Sequence, residues 1–343
     1  MKKISVLLAV TALASVMATS AWSKTLVYCS ESSPEGFDPG LYTGGNTFDA
    51  SSRTVYSRLV EFKHGSTEIE PGLAESWTVS PDGKEYTFKL RKGVKFQTTD
   101  FFTPTRDLNA DDVIFSITRQ LGTDSPWAKY VAGGSYEYAD GMGFPKLIKS
   151  IDKVDDLTVK FVLNRPEAPF LADLAMDFAS ILSKEYADKL QADGKMEQMN
   201  QQPLGTGAFT FVAYQPDAVI RYKANETYFK GKEKIDDLVF AITPDASVRA
   251  QKLKSGECNI MPYPNAADIK DLKADKNLKV LEQAGLNVSY LAYNTLVAPF
   301  DKAEVRRAIN MAVNKQAIVD AVFQGSATVA TNPIPPTMWS YNK

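Results

Sequence analysis

Residues 71–97 read Pro-Gly-Leu-Ala-Glu-Ser-Trp-Thr-Val-Ser-Pro-Asp-Gly-Lys-Glu-Tyr-Thr-Phe-Lys-Leu-Arg-Lys-Gly-Val-Lys-Phe-Gln, and the remainder of the chain is organised around them. Trp77 and Val79 lead into a turn at Ser80-Pro81-Asp82-Gly83. Tyr86, Phe88 and Leu90 then alternate with Thr87, Lys89 and Arg91, the pattern of a hairpin strand with one buried face. A second turn at Lys92-Gly93 returns the chain to Val94 and Phe96, which predicts a surface antiparallel meander. Nothing in it is catalytic.

The order of words in this stretch carries a second meaning. Leu-Ala-Glu-Ser-Trp, Asp-Gly, Tyr-Thr-Phe-x-Leu-Arg-x-Gly-Val-Lys-Phe and then Asn109-Ala110-Asp111-Asp112-Val113-Ile114-Phe115-Ser116 resemble the signature of the peptide- and nickel-binding receptors of ABC importers, the family 5 extracellular solute-binding proteins. The resemblance implies an α/β, two-lobed periplasmic binding protein fold with an extra inserted subdomain, its second lobe truncated here. It also implies a division into a signal peptide (1–23), a discontinuous core of the first lobe (24–57 and 205–284), the inserted subdomain (58–204) and the start of the second lobe (285–343).

Composition agrees with a soluble globular protein: 343 residues, 44% hydrophobic and 23% charged. A net charge of -2 and a pI near 5.7 give no basic footprint, so nucleic acid is excluded as a partner. Lys2 and Lys3, the apolar run from Ile4 to about Met17 and the small residues before Ala21-Trp22-Ser23 read as a cleavable signal peptide, cut between Ser23 and Lys24. The run is too short for the ~20 residues of a membrane span, and no small residues precede Cys29 as a lipoprotein signal would need. A periplasmic location follows.

Cys29 and Cys258 are the two cysteines, compatible with one bridge in an oxidising compartment or with two buried thiols. The resemblance favours the bridge, because dipeptide-binding relatives pair cysteines at these places. That pairing would bring strands from both ends of the region into one sheet.

Along the chain, Thr25–Tyr28 reads as a strand and Asp49–Leu59 as a helix. Between them lies Thr43-Gly44-Gly45-Asn46, where paired glycines either let a backbone approach a ligand closely or simply turn. Asn109 predicts an N-cap, with Asp111 and Asp112 favouring the positive end of the helix dipole and not a metal. Residues 126–145 form an aromatic and glycine-rich loop, containing Tyr136, that lines a pocket or packs on its own rings. Leu157, Val159, Phe161 and Leu163 alternate as a strand, Leu171, Leu174, Ala175 and Phe178 keep helical spacing, and a further helix starts at Ser183. Gln198–Pro203 marks a boundary. Strands follow at Gly205–Phe211 and Ile235–Phe240, and then a helix closed by Ser255-Gly256 leads to Cys258 and Met261-Pro262-Tyr263. Gly285–Asn294 reads as a strand entering the second lobe, and Asp301 with Glu304 as a capping box.

Enzymatic readings fare poorly. His64 is the lone histidine and lies in a polar turn, and no HExxH, CxxC or nucleophilic serine motif is present. What the resemblance implies is a monomeric receptor, without cofactor or metal, that closes on a short peptide (a dipeptide) and presents it to the inner-membrane permease of an ABC importer. Thr43, Gly44, Gly45, Asn46, Tyr136, Met261, Pro262, Tyr263, Leu286 and Asn287 are its candidate ligand contacts. The groups that pair the peptide's charged termini are expected beyond Lys343, so this form by itself is expected to bind weakly. An oligopeptide or haem receptor on the same scaffold is the alternative, and a secreted hydrolase the rival from another class.

Overall fold

The computed structural model describes residues 23–122, 125–338 and 340–342. The expected signal peptide, residues 1–23, therefore lies outside the described residues except for Ser23.

Among the described residues, ten strands form three sheets. The first sheet runs β1 (Thr25–Ser30), β10 (Asp237–Ile242), β9 (Val219–Ala224) and β8 (Phe209–Gln215), with β1 parallel to β10 and the other pairs antiparallel. The apolar runs Leu26–Cys29 and Leu238–Ile242 suit strands that are covered on both faces. On the other side of β1, Tyr28 bridges Ile260 in parallel, and the Cys29 amide donates to the Ile260 carbonyl at 2.9 Å. The Cys29–Cys258 disulfide spans the same seam, with the Cα atoms 5.9 Å apart. Strands from both ends of the region between Cys29 and Cys258 thus share one sheet, as the resemblance implied.

The second sheet, β4 (Ala74–Val79), β5 (Glu85–Leu90), β7 (Thr158–Leu163) and β6 (Ile148–Asp155), is antiparallel throughout. Tyr86, Phe88 and Leu90 are buried on one face, and Phe88 meets Phe161 edge-on with ring centres 5.6 Å apart. The third strand of the expected meander is absent, because β4 and β7 occupy both edges of β5 and leave none for Val94–Phe96. Those residues are buried as an extended loop, with Leu108 donating to the Val94 carbonyl. A short pair, β2 (Val60–Phe62) with β3 (Ile69–Pro71), completes the strands.

The helix Ala110–Thr118 begins as its sequence predicts: Asn109 accepts from the Asp111 amide, and Asp112 accepts from the Asn109 amide. Asp112 also holds Arg106 and Asp111 holds Lys153, so both acids are occupied structurally. The helix expected over Asp49–Leu59 instead spans Gly45–Ala50. Its end has a local cause: the Ser51 and Thr54 hydroxyls donate back to the carbonyls of Thr47 and Ala50, offering the backbone partners other than the next turn.

Gln97 joins the sheets. Its side chain donates to the carbonyls of Val55, Gly207 and Phe209 and accepts from the Gly205 amide, all at 2.8–3.3 Å. Glycine is required at 205, where a Cβ would lie 2.3 Å from the Val55 carbonyl oxygen. This close approach displaces the start of β8 to Phe209.

Gly285–Asn294 is not a strand. A strand needs an edge to bond with, and among the described residues none lies alongside; Leu286, Tyr290 and Leu291 are exposed. The following helix, Ala303–Ala312, is capped by Lys302 without a side-chain bond, so the expected Asp301–Glu304 capping box is not formed.

Asp173, in the short helix Phe170–Leu174, is 6% exposed, and its carboxylate has no hydrogen-bond or ion-pair partner among the described residues. Burial, with the neighbouring Glu167 charge adding to it, pushes its carboxyl up to about 6. A raised carboxyl favours folding while protonated, so this contribution is present below about pH 4 and is lost as pH rises through about 6. Asp173→Asn should therefore stabilise the protein by about 1–2 kcal/mol at pH 7.5 and by little at pH 4.5. Denaturant titrations at the two pH values check this, and equal effects at both would contradict it.

Candidate ligand-binding site

The carboxyl ends of β1, β10 and the Ile260 bridge point the same way, and the loops leaving them carry most of the candidate residues. In open α/β sheets this is the end at which ligands bind.

From β1 the chain runs through a loop to Thr43-Gly44-Gly45-Asn46. Thr43 and Gly45 are exposed, and Gly44 and Asn46 half-buried. Neither glycine of the pair has a positive φ; Gly44 caps the helix Gly45–Ala50, with its own backbone extended. A Cβ on Gly44 would lie 2.9 Å from the Asn46 side-chain oxygen and 3.0 Å from a Glu35 carboxylate oxygen, so the loop closes tightly over it. The Asn46 side chain donates to the Ser32 hydroxyl and the Ser33 carbonyl, both at 2.7 Å, and Thr47 accepts from the Glu35 amide.

Tyr28 ties this segment to Met261-Pro262-Tyr263. Its backbone bridges Ile260, and its hydroxyl donates to Asp49 at 3.1 Å, one turn beyond Asn46. Burial raises the Tyr28 hydroxyl well above its ordinary range; Asp49 raises it further, and Tyr263 and Glu31 contribute smaller amounts through their charges. Met261 and Pro262 are half-buried, whereas the Tyr263 side chain stands out at 71% exposed.

Tyr136 sits behind the loop, not on its surface. It is 5% exposed, its hydroxyl donates to the Trp127 carbonyl at 2.7 Å, and it accepts from Arg119 at 3.1 Å. The aromatic segment around it packs on its own rings, Trp127 lying 4.9 Å from Tyr130. Arg119 also forms a two-pronged pair with Asp38 at 2.5 and 2.7 Å, and Tyr130 donates to the same carboxylate. Both ions of the pair are buried. Asn200, in the stretch read as a boundary, accepts from the amides of Phe37 and Asp38 and donates to the Tyr42 hydroxyl. The loop that delivers Thr43–Asn46 is thereby fixed at both flanks.

Leu286 and Asn287 are exposed, and their segment's one side-chain bond to the sheets' region is Gln283 donating to the Gly65 carbonyl at 3.4 Å. No side-chain hydrogen bond or ion pair joins these two residues to the other candidates among the described residues. Asp38 and Arg119, both structurally central here, have no periodicity or motif that would mark them in the sequence. Among the described residues no group of histidine, cysteine or carboxylate side chains is arranged to hold a metal ion, and no helix is long and apolar enough to cross a membrane.

Comparison with known proteins places this arrangement. Over 329 residues the chain is 60% identical to the dipeptide-binding protein of Escherichia coli, covering 96% of this chain and 61% of that protein. It is 54% identical over 325 residues to heme-binding protein A of Haemophilus influenzae, covering 95% of this chain and 59% of that protein. The crystal structure of a dipeptide-binding protein from Pseudoalteromonas sp. SM9913 in complex with Met-Leu superposes with a TM-score of 0.89 at 38% identity, covering 93% of this chain and 63% of that one. The chain thus spans about 60% of the length of these relatives. Residues 68–343 match the family described as bacterial extracellular solute-binding proteins, family 5. This chain belongs to the family 5 bacterial extracellular solute-binding proteins.

Proposed function

We propose that the chain is part of a periplasmic receptor that binds dipeptides and tripeptides and delivers them to the permease of an ABC importer. The observation that carries this is the 60% identity, sustained over 329 residues, to a dipeptide-binding protein. Thr43 to Asn46 and Met261 to Tyr263 form one wall of the ligand cleft, with Tyr136 supporting that wall from behind. Leu286 and Asn287 approach from the crossover at 285, where the second lobe begins. Residues 24–57 with 205–284 and residues 58–204 act as core and inserted subdomain. The receptor is a monomer, exported by a signal peptide cut between Ser23 and Lys24, and it needs no cofactor. A hydrolase is set aside because the family's members are solute-binding proteins.

A zwitterionic peptide brings two charges, each costly to bury alone, so affinity depends on groups that pair both termini. Calorimetry on the full-length receptor, at the length of its relatives, should give micromolar or tighter binding of dipeptides and tripeptides and no heat with sugars or nickel chelates. Absence of peptide binding in that protein would overturn the assignment. The 54% identity to a heme-binding protein favours haem as the second reading. A haem absorbance band retained after purification and displaced by no peptide would select it.

A further inference from the structure

Residues 31–44 carry neither helix nor strand, yet Gly36 to Leu41 are buried. A buried loop must find hydrogen-bond partners for its backbone outside any ladder. Several come from one residue. Asn200, 162 positions from Asp38, ends the 3-10 helix Met196–Asn200, in which Met199 is fully buried in the core. Its side-chain oxygen accepts from the Phe37 amide at 3.0 Å and the Asp38 amide at 2.9 Å, and its backbone carbonyl also accepts from the Phe37 amide. Its side-chain nitrogen donates to the Tyr42 hydroxyl at 2.6 Å. Asn200 comes this close only because residue 36 is glycine: a Cβ there would come within 2.5 Å of the Asn200 side-chain oxygen and nitrogen and of the Tyr42 hydroxyl. The φ of Gly36 is not positive, so the position excludes side-chain volume and not a conformation.

Thr43 follows Tyr42 directly, and on the far side Asn46 is bonded back to Ser32 and Ser33. The segment Thr43-Gly44-Gly45 is therefore anchored at both ends, one of them by Asn200. We propose that Asn200 is a positioning residue for peptide binding: through Tyr42 and the amides of Phe37 and Asp38 it holds Thr43–Asn46 in place before the ligand arrives, and Gly36 is the residue that admits it. This rests on the peptide-receptor reading and adds to it a part for residues 58–204, which supply the group that orders one wall of the cleft. Such ordering raises affinity, because the loop's freedom is lost on folding and not again on binding.

The test uses the full-length receptor with Ala-Ala as the probe, its affinity read by calorimetry on folded protein. Asn200→Ala should weaken binding by about five- to thirtyfold, the scale of one or two buried hydrogen bonds. Gly36→Ala should also weaken it by displacing the Asn200 side chain, and the double variant should bind about as well as the weaker single one, since both remove the same contact. Hydrogen exchange at residues 37–46 gives a reading that a merely structural role would not move. In free Asn200→Ala these amides should exchange faster than in the free wild type, and saturating peptide should restore their protection. Phe161→Leu, in the core of the second sheet, should lower thermal stability and leave affinity within about twofold of the wild type. An unchanged affinity in Asn200→Ala, a loss that Phe161→Leu reproduces, or exchange that peptide does not slow would each overturn the proposal. Should Asn200→Ala fail to fold, Tyr42→Phe, which removes only the bond to the hydroxyl, decides by the same two readings. A wild type that binds no dipeptide would instead refute the receptor reading itself.

Discussion

Replacing Arg119 by methionine should lower the stability of the protein by about 3–5 kcal/mol at pH 7, because it leaves Asp38 charged and buried without its cation. Asp38 and Arg119 are 0% and 1% exposed at the side chain, and solvent cannot substitute for the missing partner. In the wild type, burial by itself would raise the Asp38 carboxyl. The Arg119 charge, with hydrogen bonds from Arg119, Tyr130 and the Gly40 amide, outweighs burial and holds the carboxyl below its ordinary range. A carboxyl so lowered contributes stability that is present above about pH 4 and is lost as pH falls through its folded value. In Arg119→Met the sign reverses: burial is unopposed, and the variant should regain part of its deficit as acid neutralises Asp38. Denaturant unfolding of both proteins at pH 7 and pH 4.5 measures this. A penalty below about 1 kcal/mol, or one that does not shrink at the lower pH, would show that the pair is not what holds this loop. Asp38→Leu added to Arg119→Met should restore much of the loss, since the cost is that of an unpaired charge and not of a missing bond.

The same pair shows where reading the sequence stops. Hairpin β4–β5 and strand β7 were legible because alternation and turn residues are local: Tyr86, Phe88, Phe161 and Leu163 occupy the faces that their spacing assigns. Asn109 was legible as a cap and Ser183 as a helix start because the groups they bond lie within three residues. Asp38 and Arg119 are 81 residues apart and neither stands in a motif, so only the fold brings them together. Tyr136 shows a related limit: an aromatic in a glycine-rich loop reads alike whatever its hydroxyl bonds, which here are Trp127 and Arg119. The expected strand at Gly285–Asn294 shows the complementary limit, because alternation states which face would be buried but not whether a partner strand is present. The Thr43–Asn46 and Met261–Tyr263 segments, by contrast, came from family resemblance; Tyr28, bonded to Asp49 and bridged to Ile260, joins the chain next to each of them although more than 200 residues separate them.

Substituting alanine for both cysteines should cost the protein about 2–5 kcal/mol. Cys29 and Cys258 are separated by 229 positions, and in the chain-entropy model a crosslink closing so long a loop restrains the unfolded ensemble by on the order of 5 kcal/mol. The native side of the balance can be stated residue by residue. Without the bridge, β1 keeps its ladder to β10 and the bonds at Val27 and Cys29 to Asn259 and Ile260, so the folded geometry survives and the loss falls on the unfolded state. Unfolding in denaturant should therefore show a lower midpoint for Cys29→Ala with Cys258→Ala, and for the wild type under strong reductant, with the two shifts equal. Both should expose at least as much surface on unfolding as the oxidised protein, read as an undiminished denaturant slope. A stability unchanged within about 0.5 kcal/mol would mean that the first strand is held by its hydrogen bonds alone. A reduced slope would mean instead that β1 detaches in the native state, releasing with it Tyr28 and the link between the two segments of the proposed cleft wall.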